Sequence, residues 1–127
     1  MRCRGIRGAT TVDDNTREDT LAAAKELLQE MVQTNGVQEE EVTCIFFTTT
    51  PDINRTFPAA AARELGLSQV PMLCGHEMNV PGSLPMCLRI LILFNTEKGA
   101  EEIVHIYTKG ARELRSGSDN QEGSLEG

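Results

Sequence analysis

The spacing of apolar residues predicts one long helix near the start of the chain. In DDNTREDTLAAAKELLQEMVQTNG (residues 13–36), apolar side chains recur every three or four positions, which is typical of an amphipathic helix. Their stripe consists of Leu21, Ala24, Leu28, Met31 and Val32. Asn15 is the predicted N-cap, with Glu18 three residues later as in a capping box. The pair Asn35-Gly36 predicts that the helix ends in a left-handed C-cap.

Runs rich in β-branched, aromatic and aliphatic residues predict about five strands. They cover residues 3–12, 42–50, 69–74, 86–95 and 103–108. A second helix is predicted between Pro58 and Gly66, because proline suits the first turn of a helix and glycine its end. The predicted order is β-α-β-α-β-β-β. We therefore expect an α+β fold, in which a mixed sheet of about five strands carries two helices on one face.

The fourth predicted strand indicates that the chain forms an oligomer. MCLRILILFN (residues 86–95) is apolar at successive positions, as is typical of a strand that is buried on both faces. Two helices cover one face of such a sheet and leave the other face without a cover from the same chain. The economical cover is another subunit, so we expect a homo-oligomer.

Length and charge narrow the class of protein further. A chain of 127 residues suits one domain, and its net charge of -7 argues against a nucleic-acid binder, which needs a basic face. No apolar run is long enough to span a bilayer, and arginines follow Met1 where a signal peptide would be apolar. We expect a cytoplasmic protein with no membrane partner. We also expect one domain over residues 1–115 and a disordered polar tail over residues 116–127.

The cysteines and histidines do not form a pattern that predicts a metal site or a disulfide framework. The four cysteines include no CxxC pair, and the two histidines lack metal-ligand spacing. No glycine-rich phosphate loop is present either, so no cofactor is predicted. Cys74 and His76 leave one nucleophile hypothesis open, although closeness along the chain does not aim a histidine at a thiol.

Arginines in unusual positions are the main chemical signal. Arg89 interrupts the apolar fourth strand, where a charge is costly unless it is paired. Either Arg89 points outward or pairs with an internal glutamate, or it faces a cleft and meets an anionic ligand. The same alternatives apply to Arg7, Arg63 and Arg115, and periodicity alone does not decide between them.

Four segments of the chain together resemble one family, the small monofunctional bacterial chorismate mutases of the AroH class. They are RGIRGATTV (residues 4–12), TPDINRTFPAAAAREL (50–65), VPMLCGHEMNVPGSLPMCLRIL (70–91) and VHIYTKGARELR (104–115). The resemblance implies an isomerase that converts chorismate to prephenate, towards phenylalanine and tyrosine. It implies a Claisen-type rearrangement within one molecule, without a covalent intermediate, metal or cofactor. It further implies a homotrimeric pseudo-α/β-barrel with its active sites at the subunit interfaces.

The resemblance also implies roles for individual residues. Arg89 would contact the ether oxygen that breaks, while Arg7 and Tyr107 would bind the enolpyruvyl carboxylate. Glu77 would accept a hydrogen bond from the ring hydroxyl, with Cys74 nearby. Catalysis would thus rest on Arg89, Glu77 and Arg7.

The remaining substrate-binding residues follow from the same resemblance. The wall that a neighbouring subunit offers would consist of Phe57, Ala59, Arg63, Leu73 and Cys74. Gly75 and His76 follow Cys74 in the same segment, and Leu114 and Arg115 would belong to a mobile C-terminal segment that covers the pocket. Ala60 departs from the family, because some members carry a lysine there.

Two rival functions share some of these features. A non-catalytic trimer that binds a small carboxylate would need the arginines, but no residue aimed at an ether oxygen or a ring hydroxyl. A thiol-dependent enzyme would need a base beside Cys74 in space and would lose its activity on alkylation.

Overall fold

The elements of the chain follow one another in the predicted order. The structure is a computed structural model that describes residues 1–116 and the side chains up to residue 114. The strands and helices are β1 (Arg2–Thr11), α1 (Arg17–Asn35), β2 (Val42–Thr49), α2 (Ala59–Glu64), β3 (Met72–His76), β4 (Cys87–Thr96) and β5 (Ile106–Tyr107). Short 3-10 helices occur at Glu39–Glu41 and Ala100–Glu102, and a longer one, which we call the C-terminal 3-10 helix, at Lys109–Ser116.

The strands form one five-stranded mixed sheet in the order β3-β2-β4-β1-β5. The most apolar strand, β4, lies at the centre and runs antiparallel to both β1 and β2. The outer strands run parallel to their neighbours, β3 to β2 and β5 to β1. The predicted α+β class and mixed sheet are confirmed.

Both helices pack on one face of this sheet, which we call the helix face. Every second side chain of β4 points there, and four of them are buried: Leu88, Ile90, Ile92 and Phe94. They form one core with apolar residues of both helices, among them Leu28 and Met31 of α1. At Gly8, a Cβ atom would collide with the Met31 side chain, so glycine lets α1 approach β1 closely.

The opposite side of the sheet, which we call the open face, has only a partial cover. It carries Leu91 and Leu93, which are half-buried, and Phe46, which is 36% exposed. The C-terminal 3-10 helix covers one part of it, where Ala111 is buried against Ala9 and Cys87 and Leu114 packs on them. The prediction that one chain leaves a whole face of its sheet without a cover is therefore right for the part with Phe46, Leu91 and Leu93 and wrong for the part beneath the C-terminal 3-10 helix.

Local boundaries differ from the prediction at the start of α1. The N-cap is Thr16, whose hydroxyl accepts the Asp19 backbone N–H at 3.0 Å, so the prediction of Asn15 with Glu18 was wrong by one residue. The Asn15 side chain instead pairs with Asn54, whose side chain and backbone lie 2.9 and 3.1 Å from it. Because the Asn15 side chain is bound to Asn54, it does not cap the helix, and the next residue, Thr16, caps it instead. Gly36 has the predicted left-handed conformation.

The strand boundaries also differ from the prediction, most of all at β3 and β5. β3 covers Met72–His76 instead of residues 69–74, so it includes Gly75 and His76. β4 starts after Met86, whose φ of 51° places it in the left-handed region and outside the strand. The last predicted strand, residues 103–108, is reduced to Ile106–Tyr107. The C-terminal 3-10 helix runs through Ser116, and the rest of the predicted tail, residues 117–127, lies outside the described residues. Neither helix of residues 1–116 is both long and apolar enough to cross a membrane.

Candidate active site

An ion pair between two strands forms the centre of the open face. Arg89 Nε lies 3.0 Å from Glu77 Oε2, and the Thr48 hydroxyl donates a hydrogen bond to the same oxygen at 2.7 Å. The register places Thr48 of β2 directly opposite Arg89 of β4. Glu77 follows β3 and continues its pairing, because its N–H donates to the Thr49 carbonyl oxygen at 2.9 Å. Three adjacent strands therefore hold the guanidinium and the carboxylate.

Both sequence interpretations of Arg89 hold in part. The residue pairs with an internal glutamate, and it also faces an accessible surface. The Arg89 side chain is 43% exposed, whereas the Glu77 side chain is 19% exposed. The carboxylate thus orients the guanidinium through Nε, while another part of the guanidinium remains accessible to a ligand.

Two further predicted residues lie on the same face, on the other side of Arg89. Ala9 of β1 is opposite Arg89, and Tyr107 of β5 is opposite Ala9, so these three residues form one row across the sheet. Arg7 precedes Ala9 by two positions on β1 and therefore points to the same face. The open face thus brings together two guanidinium groups, one carboxylate and one phenol, which suits a small ligand with carboxylate groups.

His105 fixes the backbone of β1 at Arg7. Its Nδ1 atom accepts the Arg7 N–H at 2.9 Å, which requires that this ring nitrogen carries no proton. Burial lowers the pKa of His105, and the nearby charge of Arg7 lowers it further. This contact gives His105 a structural role at the edge of the sheet.

A polar clamp, which consists of Thr50, Asp52, Met86 and Cys87, holds the start of β4. The Asp52 carboxylate accepts the Thr50 hydroxyl and, at 3.0 Å, the Met86 N–H. The Cys87 N–H in turn donates to the Thr50 hydroxyl oxygen at 3.0 Å. The hydrogen bond from Thr50 is the main reason why the pKa of Asp52 lies below its usual value. Sequence reasoning missed this clamp, which fixes β4 two residues before Arg89.

The cysteines differ in their surroundings. Cys87 is fully buried beside Arg89, and burial raises the pKa of its thiol to about 11, so the thiol stays neutral. Cys74 is half-buried and packs against the core of the helix face. Because Cys74 and Glu77 are three positions apart along an extended segment, their side chains point to opposite sides of the sheet. The expectation that Cys74 lies near Glu77 therefore needs correction within one chain, since the two are close only along the backbone.

A second group of predicted residues lines a separate cleft of about 390 Å³. Phe57, Cys74, Gly75 and His76 meet there, and the Phe57 ring is 71% exposed. His76 Nε2 lies 3.0 Å from the Ile53 carbonyl oxygen. Within residues 1–116, no hydrogen bond joins Cys74 to His76, so the geometry gives the nucleophile hypothesis no support.

The other predicted wall residues do not join this cleft. Ala59 is buried in the core at the start of α2, and Arg63 is exposed in the last turn of that helix. Leu73 of β3 is opposite Phe46 and 63% exposed on the open face. The predicted site residues thus form two groups within one chain, while Ala59 and Arg63 belong to neither. The open-face group consists of Arg7, Leu73, Glu77, Arg89, Tyr107 and Leu114, and the cleft group consists of Phe57, Cys74, Gly75 and His76.

The fold is a mixed sheet whose open face carries the Arg89–Glu77 pair, Arg7 and Tyr107, a set of side chains that suits a small anion. The family model for chorismate mutase type I matches residues 3–118. The chain is 45% identical over 113 residues to chorismate mutase AroH of Thermus thermophilus, which covers 88% of this chain and 93% of that protein. It is 40% identical over 116 residues to chorismate mutase AroH of Bacillus subtilis, with 91% of each covered.

The solved structure of a chorismate mutase from Clostridium thermocellum has the same fold. Its TM-score is 0.84 at 44% identity, over 85% of this chain and 96% of that one. The chain therefore belongs to the type I chorismate mutase family. The resemblance seen in the four sequence segments is confirmed, and with it the assignment to the isomerases of aromatic amino acid biosynthesis.

Proposed function

We propose that this chain converts chorismate to prephenate at sites between the subunits of a homotrimer, in the cytoplasm. The observation that carries the proposal is the Arg89–Glu77 pair on an open face that also presents Arg7 and Tyr107. The reaction is a rearrangement within one molecule, so these residues suffice without a nucleophile or a cofactor. Their tasks are to hold the compact reactive conformer and to stabilise the charge that develops as the ether bond breaks.

Arg89 is the residue that we propose for the ether oxygen. Its guanidinium is permanently charged, and its Nε is already held by Glu77 at 3.0 Å. The terminal nitrogens of the guanidinium are then oriented before a ligand arrives. A preorganised donor of this kind stabilises developing negative charge without reorganisation during the reaction.

Arg7 and Tyr107 are the residues that we propose for the enolpyruvyl carboxylate. They lie on adjacent strands, β1 and β5, on the same side of Arg89. A carboxylate is equally charged before and during the rearrangement, so these contacts serve mainly to bind and orient the substrate.

Glu77 has a free position for the ring hydroxyl of the substrate. Within the described residues, both contacts of its carboxylate, to Thr48 and Arg89, go to Oε2. We propose that Oε1 accepts the hydrogen bond from the ring hydroxyl. A simple carboxylate binder would not need such an acceptor beside an arginine, which favours the mutase over the first rival function.

The two separate groups of site residues support the trimer. The open-face group is accessible on one side, and the cleft group, with the largely exposed Phe57, lies elsewhere on the chain. The resemblance assigns Phe57 and Cys74 of the cleft group to the wall that a neighbouring subunit offers, so we propose that the cleft group of one subunit faces the open face of the next. Leu114, which packs on the open face, and Arg115 beyond it would cover the pocket, and the single domain would then span residues 1–115.

The test is to incubate the purified full-length protein with chorismate, follow the loss of its absorbance and identify prephenate as the product. Sedimentation at micromolar concentration measures the oligomeric state in the same buffer. We expect turnover by a trimer. Binding of chorismate without turnover would favour the non-catalytic rival, and an active monomer would contradict sites between subunits.

A further inference from the structure

Asn35, the last residue of α1, is a buried polar residue to which the family resemblance assigned no role. It is 1% exposed, and its side-chain amide has three backbone partners. Nδ2 donates to the carbonyl oxygens of Met31 and Val104, both at 2.9 Å. Oδ1 accepts the Val104 N–H, also at 2.9 Å. A buried amide with this many partners holds them in one relative position, because each bond is costly to lose away from water.

The contact with Val104 has the form of a strand pairing. A primary amide presents one acceptor and adjacent donors, as a peptide group does, and Asn35 uses both towards one residue. This explains why the last strand, β5, is shorter than the predicted residues 103–108. The segment before β5 is bound to the end of a helix by a side chain instead of to a neighbouring strand by its backbone.

The end of α1 is itself fixed to the sheet. Lys98, just after β4, donates from Nζ to the Asn35 carbonyl oxygen at 2.7 Å. α1 has no basic residue in its last turn, so Lys98 supplies the cation that a helix C-terminus favours. Arg4 Nε in turn donates to the Lys98 carbonyl oxygen at 3.2 Å. Asn35 therefore reaches Val104 from a position with little freedom.

Val104 leads directly to residues of the open face. The next residue, His105, accepts the Arg7 N–H, and Tyr107 stands three positions after Val104 in β5. β5 contains two residues, which by themselves provide little pairing with β1. Thr108 continues this pairing, because its N–H donates to the Ala9 carbonyl oxygen at 3.0 Å and its hydroxyl donates to the Thr10 hydroxyl oxygen at 2.9 Å. Asn35 therefore fixes the end of the segment that precedes His105, and Thr108 fixes the end that follows Tyr107.

We propose that Asn35 is a positioning residue for the reaction, which sets Tyr107 and Arg7 through Val104 and His105. This inference rests on the proposed function, in which Arg7 and Tyr107 bind the substrate carboxylate. Arg89 stands on the central strand β4 and does not depend on this segment. The loss of Asn35 should therefore weaken binding and leave turnover of bound substrate largely intact.

The variant Asn35→Ala tests this in the full-length protein. The two hydrogen bonds to Val104 are lost, so KM should rise about tenfold or more, while kcat stays within about threefold. The matched control is Leu28→Ala, which opens a cavity on the same helix but leaves the Asn35–Val104 contact in place. The control should lower Tm without raising KM.

A second measurement does not depend on catalysis. The chain has two histidines, so proton NMR can follow the imidazole of His105 during a pH titration. In the native protein, burial and Arg7 hold the pKa of His105 below its ordinary value. When the segment is released in Asn35→Ala, this pKa should rise towards the ordinary value, whereas Leu28→Ala should leave it unchanged.

Three results would overturn the inference: an unchanged KM and His105 titration in Asn35→Ala, an equal rise of KM in Leu28→Ala at matched Tm, or a fall in kcat alone. If Asn35→Ala does not fold, Asn35→Ser is judged by the same criteria, because its hydroxyl keeps one polar contact. Tyr107→Phe separates the two proposals. A normal KM in that variant contradicts the proposed role of Tyr107, whereas the His105 titration still judges Asn35.

Discussion

The two faces of β4 differ in what one chain can complete. On the helix face, Leu88, Ile90, Ile92 and Phe94 are each at most 2% exposed, and the chain's own helices enclose them. On the open face, the intervening residues include Leu91 and Leu93, which stay half-buried, and Arg89 at 43% exposure. Consecutive residues of one strand thus point alternately into a core that the chain buries by itself and onto a face that the chain leaves partly exposed. The helix face thus carries most of the chain's own apolar core, whereas the open face carries the residues proposed for catalysis.

A charge is tolerable on only one of these faces. Arg89 keeps part of its hydration and has Glu77 as its partner, so its burial cost is limited. A charge one position away, at Ile90, would enter an apolar core without a partner and would cost several kcal/mol. The alternation of the strand therefore decides where an arginine can be kept for catalysis.

The largest effect is expected from a change at Arg89, which alters the open face and leaves the helix face unchanged. Replacement of Arg89 by citrulline keeps the shape and most donors but removes the charge. We expect kcat to fall by about two to three powers of ten or more, with binding near normal, because the charge acts mainly in the transition state. Arg89→Lys should restore little, since an ammonium cannot reproduce the planar contact.

Steady-state kinetics with chorismate measure both constants for these variants. The control is Arg17→Ala, which removes an exposed arginine from the start of α1 and should leave kcat unchanged. Turnover by the citrulline variant at close to the native rate would mean that Arg89 acts through position and not through charge.

The next effect breaks the proposed contact between subunits. Leu91→Lys places a charge in the apolar part of the open face, where a half-buried leucine stands now. The proposed trimer should dissociate at micromolar concentration in sedimentation, and activity should fall with it, because burial of an unpaired charge costs several kcal/mol. Ala22→Lys, on an exposed position of α1, is the control and should remain trimeric. A trimeric Leu91→Lys would place the interface elsewhere.

Two glycines of β1 allow the two faces to be compared by the stability that each loses when a methyl group is added. Gly8 faces α1, and an added methyl group would overlap the buried Met31 side chain, so Gly8→Ala should lower the free energy of unfolding by about 1–3 kcal/mol. Gly5 faces the open side, where a Cβ would lie 3.4 Å from Leu91 and Leu93, which is ordinary contact. Denaturant unfolding of both variants measures the difference. Equal losses would show that α1 can move away from β1.

The smallest effect concerns the thiols. Cys74 packs on the helix side, so Cys74→Ser should keep kcat within about threefold, and a loss of several orders of magnitude would revive the thiol-dependent rival. Cys87 should resist alkylation in the native protein. With a pKa of about 11, roughly one thiol in a thousand is ionised at pH 8, and burial hinders access further. Mass spectrometry after a timed reaction with iodoacetamide measures the modification of each cysteine.

Much of the fold could be predicted, because alternation and helical spacing are local properties of the sequence. The order of elements, the stripe of α1 and the uncovered sheet face all followed from such patterns. The opposite orientations of Cys74 and Glu77 did not follow in this way, because the predicted third strand ended at Cys74, whereas the observed pairing continues to Glu77.

What remained hidden depends on partners far apart in the chain. No local signal distinguishes Asn15 from Thr16 as the cap, because the residue that binds the Asn15 side chain, Asn54, lies 39 residues away in the chain. The short β5 follows from the bond between Asn35 and Val104, 69 residues apart. The site residues were named through a resemblance between sequences, since a single sequence does not show which strands are neighbours.

The position of each strand within the sheet has a consequence for the response to heat. Arg89 stands on a strand that is hydrogen-bonded along both edges, whereas Tyr107 stands on a two-residue strand at the rim. Local unfolding of an edge strand requires less free energy than unfolding of a central strand, so a fraction of subunits should have β5 detached from the sheet while β4 is intact. Such subunits keep Arg89, which is proposed for the ether oxygen, but lose Tyr107, which is proposed to bind the substrate carboxylate. Warming should therefore weaken apparent affinity, in proportion to the detached fraction, well before global unfolding ends turnover.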